Sequence, residues 1–70
     1  MFVFELCPRY DSRKSFYGKA HVIAHENGKL ELLSYNTIVS VCENGIVTHL
    51  GKWSPTTTRH QKEFEKQFSK

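Results

Sequence analysis

No stretch of this 70-residue chain is apolar over the roughly 20 positions that a membrane-spanning helix needs. The opening MFVFELCPRY has neither the charged start nor the long apolar centre of a secretory signal, so residence in the cytoplasm is expected. Cysteine is scarce: Cys7 and Cys42 are the only two, and they are not in a CxxC arrangement. In a reducing compartment such a pair reads as thiols or metal ligands rather than a disulfide. Glycine-rich phosphate loops, nucleophile motifs and metallohydrolase patterns are all missing, so enzymatic activity is not expected. Internal repeats, low-complexity segments and linkers are missing too. Residues 1–70 therefore read as one domain, near the lower size limit for a self-sufficient core. A chain this short often gains stability from a metal, a disulfide or oligomerisation. The net charge of +3 permits nucleic acid or an acidic protein as partner without dictating either.

What the chain does have is local signals for strands and one helix. Asn44-Gly45 is the strongest, because a two-residue type I′ turn needs φ > 0 at both central positions and this pair meets that at least steric cost. With those two as the loop, Glu43 faces Ile46, Val41 faces Thr48 and Val39 faces Leu50. One face then carries Val39, Val41, Ile46 and Leu50, and the other Ile38, Ser40, Cys42, Val47 and His49. The first, being more aliphatic, is expected to face the core.

A helix is expected after Gly51-Lys52-Trp53, with Ser54 as N-cap and Pro55 at the first helical position. Thr58 with Gln61 offers an alternative capping box. Thr57, His60, Phe64 and Phe68 recur on one face, while Arg59, Lys62, Glu63, Glu65 and Lys66 lie mostly on the other. Arg59 and Glu63 are spaced for an i,i+4 pair.

Upstream, Phe2, Phe4 and Leu6 alternate with Val3, Glu5 and Cys7 as a first strand ended by Pro8. Phe16–His25 and Leu30–Tyr35 read as two more strands about a second type I′ turn at Asn27-Gly28. In that register Ile23 faces Leu32 and Val22 faces Leu33, with aliphatics on both faces. The fold class expected is α+β: an antiparallel sheet of about five short strands with one C-terminal helix on one face.

Two chemistries are suggested by residue type. Two cysteines and four histidines is a high count for the length, and zinc takes four N or S ligands. Cys42 and His49 share a face of the last hairpin, Cys7 ends the first strand, and one of His21 and His25 can join; these two are about 13 Å apart along a strand, too far for one ion. The candidate zinc set is Cys7, Cys42, His49 and His21, set against the plainer reading of buried thiols and hydrogen-bonded histidines. His60, on the inward helix face, is expected to be buried and hydrogen-bonded. Around the connection from Arg9 to Ser15, cations and aromatics interleave as on a stacking-and-phosphate surface, and also as in an ordinary loop leading into an amphipathic strand.

The segments SFYGKA (15–20), SYNT (34–37) and the Trp53-Ser54 corner running through TTTRHQKEF resemble a small domain of unknown function from phages, plasmids and integrative elements of Gram-positive bacteria. That resemblance covers most of the chain and implies a mobile-element origin and a sheet-plus-helix module, with no catalytic residues to carry over. In size and character a standalone copy is similar to phage-encoded inhibitors of host defence, including anti-CRISPR proteins. The resulting expectation is a non-enzymatic binder of a host defence nuclease such as a CRISPR effector. Its docking surface combines Arg9, Tyr10, Arg13, Lys14 and Tyr17 with Arg59, Lys62 and Lys66 of the helix. A small DNA- or RNA-binding module using the same surface is the alternative. A structural or oligomerisation module is a third, favoured if the second sheet face is apolar.

Overall fold

The computed structural model describes residues 1–70 as five strands followed by one helix. Strands β1 (Phe2–Glu5), β2 (Ala20–Ala24), β3 (Leu30–Ser34), β4 (Thr37–Glu43) and β5 (Ile46–His49) form one antiparallel sheet in chain order. Helix α1 (Pro55–Phe68) packs across one face, giving the α+β architecture expected.

Asn44 and Gly45 occupy the two-residue turn at φ 54 and 79, and β4 and β5 pair in the register this turn dictates, Glu43 opposite Ile46 and Val41 opposite Thr48. The hairpin at Asn27-Gly28 differs from expectation. The loop has three residues, with the Gly28 N–H donating to the His25 carbonyl and the His25 N–H to Lys29. Only Gly28, at φ 91, is left-handed, as in a type I turn closed by a glycine bulge. The register therefore moves by one, to Val22 opposite Leu32 and Ile23 opposite Glu31. Because the side-chain period of a strand is two, this step sets Val22, Leu32 and Ser34 together beneath the helix. The second strand is also shorter than its apolar pattern: Phe16 to Lys19 form a turn with Tyr17 at φ 53 and Gly18 at φ 72.

The face of β4 and β5 chosen from aliphatic content is a second correction. Ser40, Cys42 and Val47 lie on the helix side, whereas Ile46 is 70% exposed and Leu50 is exposed too. A bulge explains why Val39 is nonetheless buried. Leu32 pairs with Ser40 and Leu33 with Ile38, so Val39 is the extra residue and turns inward beside Ser40. Small residues are what this face requires, since Ala20, Ser34 and Ser40 are fully covered and let the helix approach the sheet.

The core is Leu6, Phe16, Ala20, Val22, Leu32, Val39, Cys42 and Phe64, with Phe4, Leu30, Val47 and Phe68 packed at its margin. Phe64 stands at its centre with no exposed surface. Ser54 caps the helix, its hydroxyl accepting the Thr57 N–H, and Pro55 takes the first helical position. The alternative capping box is not used: the Gln61 amide donates instead to the Val39 carbonyl, 2.9 Å away.

Phe64→Ala is expected to remove about 3–5 kcal/mol. A domain of 70 residues has a total stability of roughly 4–10 kcal/mol, so urea denaturation should find the variant at or near the unfolding threshold. Ile46→Ala, at an exposed site, should change stability by less than about 0.5 kcal/mol.

Candidate docking surface

Between β1 and β2 the chain leaves the sheet at Cys7 and crosses onto the helix. Residues 9–11 present three consecutive backbone N–H groups to one carboxylate. Glu63 Oε2 accepts from Arg9 at 3.0 Å, and Oε1 accepts from Tyr10 at 2.9 Å and Asp11 at 3.0 Å. The Gln67 amide donates both to Glu63 Oε2 and to the Cys7 carbonyl. Glu63 is only 2% exposed, and this concave run of N–H groups is what allows a charge to remain there. A second tether sits beside it: Asp11 Oδ1 accepts the Arg13 N–H at 2.9 Å and the Arg59 guanidinium at 3.1 Å.

The expected Arg59–Glu63 pair is therefore not formed. Glu63 turns under the loop and Arg59 reaches over it to Asp11. Sequence reading placed Glu63 on the outer helix face and did not count Asp11 or Gln67 among the residues that shape the site. The available signal was an acid next to Phe64, one residue from the inward stripe, in a chain whose only long polar connection must dock somewhere.

With both carboxylates turned inward, the outward charge of this face is positive. Tyr10, Asp11, Arg59, Lys62, Glu63 and Lys66 line a groove of about 240 Å³. Four of the eight docking residues expected from sequence are thus brought together: Tyr10, Arg59, Lys62 and Lys66. Arg9, Arg13 and Lys14 lie exposed on the adjoining loop and form no ion pair, and neither do Lys62 and Lys66. Tyr17 lies outside the groove, at the turn entering β2, and is 74% exposed.

Beneath the first turns of the helix, His60 is buried with Nδ1 2.8 Å from Ser34 Oγ, which also meets Thr57 Oγ1 at 3.1 Å. Phe16 packs edge-on against its ring. This is the hydrogen-bonded role expected of His60. Farther along, Ser40 Oγ lies 2.7 Å from His49 Nδ1, and His49 Nε2 lies 2.7 Å from Glu65 Oε1. The order of groups resembles a nucleophile relay, but Ser40 has no exposed surface and a substrate carbonyl has no route to its hydroxyl. The chain of bonds ties β4 and β5 to the helix.

The structure does not bring the four candidate zinc ligands, Cys7, Cys42, His49 and His21, together on one side of the sheet. Cys42 and His49 are on the helix side, with both His49 nitrogens engaged and the Cys42 thiol directed at the Phe68 carbonyl. His21 pairs with Leu33 on the opposite side of the sheet, and Cys7 is exposed on the loop. No three His, Cys, Asp or Glu side chains converge in metal-binding geometry anywhere in the chain.

Burial pushes the Glu63 carboxyl up, but the bonds from Gln67, Arg9, Tyr10 and Asp11 together outweigh it and hold the group below its ordinary value of 4.5. Asp11 is held low chiefly by the Arg13 N–H, with burial opposing and Arg59 adding to the effect. His60 is lowered first by burial and then by the nearby Arg13 charge, with Asp11 acting in the opposite sense.

The pattern of a family of unknown function, DUF8033, matches residues 4–70. No curated protein and no solved structure matches the chain.

These directions fix a pH profile. His60 is neutral in the fold, so the unfolded chain takes up its proton first as pH falls through about 6.5, and stability declines with it. Glu63 and Asp11 contribute stability above the ordinary carboxylate range, and this is lost as pH falls through their lowered folded values. Urea midpoints should thus fall in two stages, one beginning near pH 6.5 and one below about pH 4.5, and His60→Asn should flatten the first alone. A wild-type midpoint constant from pH 7.5 to 5.5 would contradict the assignment. Glu63→Ala at neutral pH orphans three N–H groups and is expected to cost about 3 kcal/mol or more.

Proposed function

We propose that this chain, which belongs to the DUF8033 family of unknown function, is a non-enzymatic docking protein that binds and inhibits a host defence nuclease, a CRISPR effector being the target class. The observation that carries this reading is the inward capture of Glu63 and Asp11. It leaves Arg9, Arg13, Lys14, Lys62 and Lys66 as a cationic rim around the groove at Tyr10. A preorganised surface of one sign engages an oppositely charged one with a fast on-rate and little ordering cost. Nucleases that use metal ions carry clustered carboxylates at the catalytic centre, a target to which such a rim is complementary. The mobile-element character implied by the SFYGKA, SYNT and WSPTTTRHQKEF segments supplies the biological setting, with action in the cytoplasm of the bacterial host.

A DNA- or RNA-binding module is the second reading, favoured by the exposed rings of Tyr10 and Tyr17 among unpaired cations, the composition of a stacking surface. The two separate on salt: phosphate contacts release counterions, so nucleic-acid affinity falls steeply with ionic strength, whereas a packed protein complex persists.

The test uses purified protein as bait in host lysate, with and without nuclease treatment, across a salt series. A discrete protein partner that survives both is expected. Charge reversal at Lys14, Lys62 and Lys66 to Glu should abolish its capture while changing the free energy of unfolding by no more than about 0.5 kcal/mol per substitution, because none of these side chains forms an ion pair in the fold. Recovery of nucleic acid alone, lost as salt rises, would put the second reading first.

A further inference from the structure

We propose that the end of the sheet nearest the start of α1 is a stacking platform for single-stranded nucleic acid, formed by Tyr17, Tyr35 and Trp53. In the antiparallel order of the strands, β2 begins, β3 ends, β4 begins and β5 ends at this end, so three connections meet there. Each presents one open ring: Tyr17 is 74% exposed, Tyr35 49% and Trp53 43%. The Tyr35 N–H donates to the Lys19 carbonyl at 2.7 Å, which joins the first two connections. The third is tied to them through Ser54, whose hydroxyl meets Thr57 Oγ1, itself 3.1 Å from Ser34 Oγ. The Trp53 indole is held by its N–H, which donates to the Leu50 carbonyl at 2.6 Å.

Two of these rings stand where turn chemistry places other residues. Tyr17 and Gly18, at φ 53 and 72, are the central pair of a turn closed by the Lys19 N–H on the Phe16 carbonyl. The equivalent pair in the last hairpin is Asn44-Gly45, and a bulky residue at positive φ is strained where asparagine is tolerated. Tyr35 opens the two-residue loop between Ser34 and Thr37 at φ 57, again a place for Gly, Asn or Asp. Neither ring belongs to the core. Strain of this kind persists at binding sites, where the side chain is kept for what it touches. The surroundings identify the occupant. Tyr35 leans on His60, but no two of the three rings stack on each other, so none is covered by another. Lys14 and Lys19 flank Tyr17 and Lys52 precedes Trp53, all exposed and without an ion pair. Glu5, the acid that ends β1 here, accepts the Gly18 N–H, and the first turn of α1 holds no acid. Separate rings interleaved with free cations suit bases and phosphates better than the packed anchor cluster of a protein interface. The platform deepens the nucleic-acid reading above and rests on it.

Trp53 is the only tryptophan, so its fluorescence reports on the platform directly. Titration with a labelled oligothymidylate of about 12 nucleotides should quench it saturably. The logarithm of affinity should fall against that of salt with a slope of roughly −2, as three phosphate contacts require. Tyr17→Asn should weaken binding about tenfold and raise the melting temperature, because it removes a ring and relieves the strained turn. Tyr17→Phe, which keeps the ring, should bind like wild type. A Tyr17→Asn variant that binds as tightly as wild type, or whose melting temperature fails to rise, would overturn the proposal. Binding seen in the anisotropy of the label, without Trp53 quenching, would overturn the platform and leave nucleic-acid contact to the groove. No binding in either signal at low salt and several hundred micromolar protein would overturn the platform and the nucleic-acid reading together.

Discussion

A buried carboxylate on a helix has to find donors, and Glu63 finds them in a loop that would otherwise have no reason to lie there. Residues 9–11 offer three backbone N–H groups in succession, and the Gln67 amide closes the remaining side. Desolvation of the charge opposes the arrangement, while four charge-assisted bonds outweigh it and hold the Glu63 carboxyl below its ordinary value. The connection between β1 and β2 is thereby fastened along α1, and Phe16, at its far end, closes the core against His60. The cationic groove depends on this placement, since without it Tyr10 and the loop cations have no fixed relation to Lys62 and Lys66.

The rest of the helix–sheet contact repeats the theme of polar ties set into a small apolar core. His60 and Thr57 meet Ser34, Gln61 donates to the bulged Val39 backbone, and Glu65 reaches Ser40 through His49. No buried side-chain nitrogen or oxygen is left without a partner. Such contacts add little net stability each, but they are expensive to misplace, so they fix the helix in one position over the sheet. Many of them fall in the segments SYNT (34–37) and TTTRHQKEF (56–64). Those segments are legible as the fastening of the fold, and the docking chemistry sits beside them on side chains that the fold leaves free.

How far the sequence foretold this depends on which physical rule governs each feature. Asn44-Gly45, Ser54-Pro55 and the inward Phe64–Phe68 stripe are local signals, and the structure follows them. Asn27-Gly28 looks the same as Asn44-Gly45 in sequence, yet it closes a three-residue loop, because register is settled by which face of β2 and β3 must meet the helix. Aliphatic content misjudged the last hairpin for a related reason. The helix needs small and polar partners at Ser40, Cys42 and His49, and the aliphatic side is left for the open face. Glu63 was hidden because a charged residue with an arginine four positions earlier reads as an exposed pair, and only the long-range loop contact shows otherwise. Four of the eight docking residues line one groove because their segments converge on Glu63; Tyr17, six residues past the tether, does not.

Amide hydrogen exchange at Arg9, Tyr10 and Asp11 tests the central claim most directly. The account predicts that these three loop amides are protected together at neutral pH, to the degree of the helix itself, and that Glu63→Gln releases them ahead of the amides of β2 and β3. Exchange at free-loop rates in the wild-type protein would contradict it, and the groove would then be no fixed surface at all.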